Sequence, residues 1–143
     1  MNDQPPRHSV SVSGVITDDH GRTLLIQRRD NHHWEPPGGV LELDETIQDG
    51  LHREVREETG FDVEPDTLSG IYKNMNRGIV ALVFRCKITG GHLAINDEVT
   101  AFRWADKATI RQLASDAYAV RVLDALRSGA TPVIRHHDGT HML

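Results

Sequence analysis

Residues 39–61 read GVLELDETIQDGLHREVREETGF, and the second half of this stretch decides both the fold and the chemistry. From about Thr46 to Thr59 the pattern is helical, opened by Asp44 or Thr46 as N-cap and closed by Gly60, with Phe61 behind it. On such a helix Glu54, Glu57 and Glu58 stand at i, i+3 and i+4, so their side chains share one face within about 100° of arc. They also fall in the last two turns, where the helix dipole is negative. Each acid is disfavoured there by roughly 0.3 to 1 kcal/mol, and like charges at these spacings add a few tenths more. Asp49, Arg53 and Glu57 form a ladder of alternating sign, which is an ordinary solvated surface. Glu54 and Glu58 have no basic neighbour at three or four residues. A locally unfavourable choice of this kind is expected where function demands it. A divalent cation resolves the conflict, and hard oxygen donors select magnesium, manganese or calcium. Gly50, one turn before Glu54, reads as an opening for that approach, at about 1 kcal/mol in helix propensity.

Outward from this helix, the alternation of Ser9 to Ile16 predicts a strand. A turn at Asp18-Asp19-His20-Gly21 and a second strand from Thr23 to Arg28 follow, the two strands forming a hairpin. The stretch Trp34-Glu35-Pro36-Pro37-Gly38-Gly39 reads as a shaped loop, because two prolines remove donors and two glycines free the backbone. Further strands are predicted at about 68–73 and 79–88, with a short one ahead of Asn96 and another from Val99 to Trp104. Residues 108–114 and 116–128 read as helices, the second carrying Ala119, Val122, Leu123 and Leu126 on one face. Residues 132–135 read as a last strand. The sum is one α+β domain over 1–143, a mixed sheet flanked by helices, with flexible tails at 1–7 and 137–143.

At 143 residues and 38% hydrophobic, the chain is long enough to enclose a core. The apolar run Ile79 to Phe84 is far short of a membrane span, and Met1 to Arg7 is polar, unlike a signal peptide; the expected location is the cytoplasm. Cys86 is the only cysteine, so no intrachain disulfide forms, and its apolar setting reads as a buried strand residue. A net charge of -5 disfavours a general nucleic-acid binder. The acids crowd into one segment, Glu42, Asp44, Glu45, Asp49, Glu54, Glu57 and Glu58, where an anionic substrate is repelled unless a cation intervenes.

Gly39, five residues to Glu45, seven to Arg53-Glu54-Val55, one to Glu57-Glu58 and one to Gly60-Phe61 resembles the complete Nudix box at all nine specified positions. Ordinary residue frequencies give a chance match on the order of 1 in 10⁷ to 10⁸. Asp44, where members often carry glycine, is a departure at an unspecified position. The resemblance implies an α/β/α sandwich with a catalytic loop-helix-loop. It also implies a pyrophosphohydrolase that cleaves a phosphoanhydride bond of a nucleoside diphosphate derivative with magnesium, or manganese in its place. By resemblance Glu54, Glu57, Glu58 and the carbonyl of Gly39 are metal ligands, and Arg53 orients the acids. Glu45 holds Arg53 or reaches a second metal through water. Glu54 is the first candidate for general base. Glu98, beside Asp97, is its rival or an added ligand, against the plain reading of an exposed acidic turn.

Arg28 and Arg29, at a strand end, are candidates for phosphate contact or simple surface charge. His32 and His33 read as solvated and Trp34 as packing. His136, His137 and His141 read as part of a mobile polar tail rather than a zinc site. The substrate stays open among nucleoside triphosphates, ADP-ribose and nucleotide sugars, and homodimerisation stays open too. The competing reading is a non-catalytic nucleotide-sensing module on the same fold, which loss of an acid in the helix would mark. A calcium-binding structural protein ranks last, since a calcium hand sets its acids on a twelve-residue loop.

Overall fold

Alternation along residues 12–16 divides two cores: Val12 and Ile16 pack on one side, Val15 on the other. The structure, a computed structural model, describes residues 4–129 and 131–143. Along the chain come β1 (Ser9–Ile16), β2 (Thr23–Arg28), β3 (Trp34–Glu35), β4 (Gly38–Val40), α1 (Ile47–Thr59), β5 (Phe61–Asn74) and β6 (Ile79–Gly91). They are followed by β7 (Val99–Ala105), α2 (Lys107–Leu113), α3 (Asp116–Ala125) and β8 (Val133–His137). A five-stranded mixed sheet runs β4-β1-β6-β5-β8, with β1 parallel to β6 and β5 parallel to β8. An antiparallel three-stranded sheet runs β3-β2-β7.

Leu51 and Val55 of α1 bury against Val12, Ile16, Leu24, Val63 and Cys86. On the opposite side Ile110 of α2 and Ala119, Val122 and Ala125 of α3 pack with Val15, Leu25, Tyr72 and Val83. The result is the expected α+β arrangement, an α/β/α sandwich. Each fully buried aliphatic side chain contributes roughly 1.5 to 3 kcal/mol. Cys86 sits buried on β6 as expected, and burial pushes its thiol up to about 12. No helix among the described residues is long and apolar enough to cross a membrane.

Several local expectations are corrected. The turn after β1 closes as predicted, with Asp18 accepting the amides of His20 and Arg22 at 2.9 Å, but the two strands do not form a hairpin. Pairing stops at a Thr17–Thr23 bridge and the Asp18 N–H to Arg22 O bond at 2.8 Å, because β1 already has β4 and β6 on its two edges and β2 enters the other sheet. The proline stretch is not wholly irregular. The two prolines fall between short strands, where no ladder donor is needed, and Pro37 offers its carbonyl to Gly14 N–H at 2.9 Å. The short strand expected ahead of Asn96 is absent; β6 runs on to Gly91 and residues 92–96 are coil. β5 begins at Phe61, and register shifts around Val63, Pro65 and Leu68 let it accommodate its proline.

The tail expected at 137–143 is tied down. His137 is only 2% exposed and accepts the Gly139 amide on Nδ1 at 2.9 Å. Asp138 accepts the amides of Thr140 and His141, and Thr140 O receives Ala117 N–H at 3.0 Å. A turn built on an aspartate replaces the mobile segment. At the other end, residues 1–3 of the expected tail lie outside the described residues, and residues 4–8 are exposed coil.

Candidate active site

α1 begins on Thr46, whose hydroxyl accepts Asp49 N–H at 3.1 Å, and ends on Gly60 in the left-handed region at φ 86°. Between these caps, burial of Leu51 and Val55 fixes the helix's rotation and aims Glu54, Glu57 and Glu58 into a cleft of about 530 Å³. The opposite walls come from the end of β2 (Arg28, Arg29 and Asp30), from β4 (Gly38, Gly39 and Val40), and from Asp97 and Glu98 ahead of β7. Six acids thus face two arginines. The structure brings Glu98 onto the same cleft as the helix acids.

Arg53 stands behind the acids with its donors all engaged. Nε and Nη2 grip the two oxygens of Glu45 at 2.9 and 2.7 Å, and Nη1 reaches Glu54 at 2.9 Å and Glu57 at 3.4 Å. Nη2 also donates to Val40 O at 3.3 Å. This fork is the bidentate geometry a guanidinium favours. Side-chain hydrogen bonds from Arg53 pull the Glu45 carboxyl down to about 2. Glu45 thus holds Arg53, one of the two roles open to it.

Glu58 is 3% exposed and accepts Gly38 N–H at 2.6 Å. Burial pushes its carboxyl up to about 8; the Gly38 amide offsets part of this, while Glu54, Glu35 and Glu98 add to it. Glu54 is also raised, by burial against the opposing pull of Arg53. A Cβ on Gly39 would lie 2.5 Å from the Glu54 carboxyl carbon, so a larger residue there would push the Glu54 side chain aside. Gly50 is corrected: a Cβ on it would meet Leu41 at 2.5 Å and Glu45 at 2.9 Å. It is glycine to let the loop before α1 pack, not to open a path to the acids.

The arginines differ in their ties. Arg28 Nε and Nη2 pair with exposed Asp30 at 2.9 and 2.7 Å, and Nη1 with buried Glu35 at 3.2 Å. Arg29 instead donates to backbone carbonyls, Asp97 O at 3.0 Å and Asn96 O at 2.9 Å. His32 and His33 are exposed, and Trp34 packs against the α2–α3 core, as expected.

A family model described as a NUDIX domain matches residues 7–126. The chain belongs to the Nudix family. A MutT-like protein of Streptomyces ambofaciens is 55% identical over 139 residues, covering 97% of this chain and 90% of that one. An ADP-ribose pyrophosphatase of Methanocaldococcus jannaschii is 31% identical over 115 residues, covering 76% of this chain and 68% of its own length. A crystal structure of an ADP-ribose pyrophosphatase from Streptococcus suis superposes with a TM-score of 0.77 at 21% identity, over 90% of this chain and 99% of that one. At that identity it speaks for the fold alone. As a Nudix protein the chain is a pyrophosphohydrolase, an enzyme of phosphorus-containing acid anhydrides.

Nudix hydrolases generally use divalent cations, and the donor set here suits one: oxygen ligands only, on a wall whose buried carboxylates are short of positive partners. The carboxylates are not assembled as a ready cage. Among the described residues no group of three or more His, Cys, Asp or Glu is arranged to hold a metal ion. The acids take protein donors instead, Glu54 from Arg53 and Glu58 from Gly38. Two residues of this Nudix site escaped the sequence reading. Glu35 was hidden in the proline stretch, and Asn96, whose Nδ2 donates to Glu58 O at 2.8 Å, lies 38 positions from its partner.

Proposed function

We propose that this Nudix enzyme catalyses magnesium-dependent attack of water on a phosphoanhydride bond of a nucleoside diphosphate derivative, a nucleoside triphosphate, ADP-ribose or a nucleotide sugar. The observation that carries this reading is the single cleft on which Glu54, Glu57 and Glu58 of α1 meet Glu98 of a distant loop, with Arg28 at its rim. Glu54, Glu57, Glu58 and the Gly39 carbonyl are the residues that would hold magnesium, with manganese as substitute. A bound dication neutralises developing phosphate charge and makes water a stronger nucleophile near neutral pH. Arg53, fixed by Glu45, keeps Glu54 and Glu57 at the cleft wall. Glu54, whose burial raises its affinity for a proton, is placed to take one from water; Glu98 faces the same space as the alternative base. Arg28 is the arginine proposed to meet a substrate phosphate, since its partner Asp30 is exposed and can release it.

Incubation with a panel of nucleoside triphosphates, ADP-ribose, nucleotide sugars and dinucleoside polyphosphates tests this. Chromatography should show a nucleoside monophosphate or its equivalent and a second phosphorylated product, only when magnesium or manganese is present. Turnover of none of these by the folded protein, or undiminished turnover in chelator, would reject the proposal.

A further inference from the structure

A helix ends in carbonyls that find no partner within it. At the end of α1, Gly60 N–H satisfies Arg56 O at 2.9 Å, Ala94 N–H satisfies Thr59 O at 3.0 Å, and Asn96 Nδ2 satisfies Glu58 O at 2.8 Å. The last two donors belong to the segment that leads into Glu98. The same Asn96 side chain turns its Oδ1 the other way and accepts Glu98 N–H at 2.9 Å and Val99 N–H at 3.1 Å. One amide group therefore joins the backbone of Glu58 to the backbone of Glu98. From the far side Arg29 closes the loop, its own N–H on Glu98 O at 2.8 Å and its guanidinium on the carbonyls of Asp97 and Asn96.

We propose that Asn96 is a positioning residue for hydrolysis, registering the loop acid Glu98 to the acids of α1, and that Arg29 clamps that loop instead of binding phosphate. The proposal rests on the reading that Glu98 works in the catalytic cleft. The Asn96 side chain bonds only to backbone groups, those of Glu58, Ala94, Glu98 and Val99, so it acts through the segments it ties together. A cap that merely stabilised α1 would change the melting temperature and leave the turnover of folded enzyme alone. A clasp must change the rate, because a misplacement of about 1 Å in a reacting group is enough for a loss on the order of 100-fold.

Asn96→Asp is the informative variant. It keeps an oxygen for the amides of Glu98 and Val99 and sets another oxygen against Glu58 O, with almost no change of shape. Assayed with magnesium on ADP-ribose and on dGTP, it should lower kcat about 10- to 100-fold, as loss of an outer-shell contact commonly does, with KM within about threefold. In a Glu98→Gln background the same change should cost less than about twofold more, since the group it positions is already gone. Arg29→Lys should likewise lower kcat and spare KM, whereas a phosphate ligand would raise KM. The crystal structure of Asn96→Asp gives a readout independent of turnover: Glu98 should be displaced relative to Glu58 by about 1 Å or more. An unmoved Glu98, or losses that multiply with Glu98→Gln, would overturn the clasp. A raised KM with intact kcat in Arg29→Lys would return Arg29 to phosphate binding. If Glu98→Gln alone retains full activity, the underlying reading of Glu98 fails; if it loses activity and Asn96→Asp does not, only the clasp fails.

Discussion

Two carboxylates are sunk in this protein almost equally, Glu58 at 3% exposed and Asp124 at 5%, and they behave in opposite ways. Asp124, on α3, accepts Tyr72 OH at 2.7 Å and both Nε and Nη2 of Arg135 at 2.8 and 2.9 Å. Burial alone would raise it, yet these hydrogen bonds hold its carboxyl below the usual range. Glu58 receives one backbone amide, and burial first, then Glu54, Glu35 and Glu98 around it, push its carboxyl up to about 8. Exposure to solvent is nearly the same; compensation is not. A buried acid given a guanidinium fork reads as scaffold, and one left among other acids fits the ligand role proposed for it.

The largest effect expected from this contrast is on turnover. Glu58→Gln, or Glu57→Gln beside it, should lower kcat/KM by about 10³-fold, roughly 4 kcal/mol of transition-state stabilisation. Thermal stability in chelator should be unchanged or higher, because a titratable group set among other acids is replaced by a neutral amide. Activity equal to wild type would show that these acids hold nothing needed for the reaction. Next comes the scaffold acid: Asp124→Ala should destabilise the fold by roughly 3 kcal/mol, since it strands Arg135 and the Tyr72 hydroxyl. The protein that remains folded should work within about threefold of wild type. Urea unfolding and a rate normalised to folded protein check both halves, and a large loss in the normalised rate would make Asp124 more than scaffold. A smaller effect is expected at Gly39→Ala, where the added methyl meets the Glu54 carboxylate. Turnover should fall about 10- to 30-fold, with a midpoint shift of a few degrees.

What could be read from residue order follows the same division. α1 was legible because its period, its Thr46 and Gly60 caps and its uncompensated acids are all contained in the consecutive positions from Thr46 to Gly60. Pairing was not: the turn at Asp18 has hairpin chemistry and forms as such, but whether β1 and β2 join is settled by β4 and β6, which claim both edges of β1. β3 and β4 were masked by Pro36 and Pro37, which lie between two short strands and break neither. In the site, Glu54, Glu57, Glu58 and Arg53 declared themselves by spacing. Glu98 could be named but not located, because its tie to the helix runs through Asn96, an ordinary polar residue in a polar stretch. The fold decides that link at a distance of 38 residues.

The finest test of the comparison is the sign of two pH dependences, measured in chelator. Asp124 has a folded value below that of the unfolded chain. Its contribution is therefore complete above the unfolded value, near 4, and is lost as pH falls through the folded one. Glu58 runs the other way: from about 4.5 to about 8 the folded protein holds a proton that the unfolded chain has released. Over that window stability falls as pH rises, by at most about 1.4 kcal/mol per unit of pH. The difference in melting temperature between wild type and Asp124→Asn should thus shrink as pH drops below about 4. That between Glu58→Gln and wild type should grow in favour of the variant as pH climbs toward about 8. Magnesium should cancel the second trend by favouring the ionised carboxylate and leave the first untouched, since Asp124 already has its cations. Parallel slopes for the two acids, or a magnesium effect shared by both, would erase the distinction between a compensated and an uncompensated buried charge.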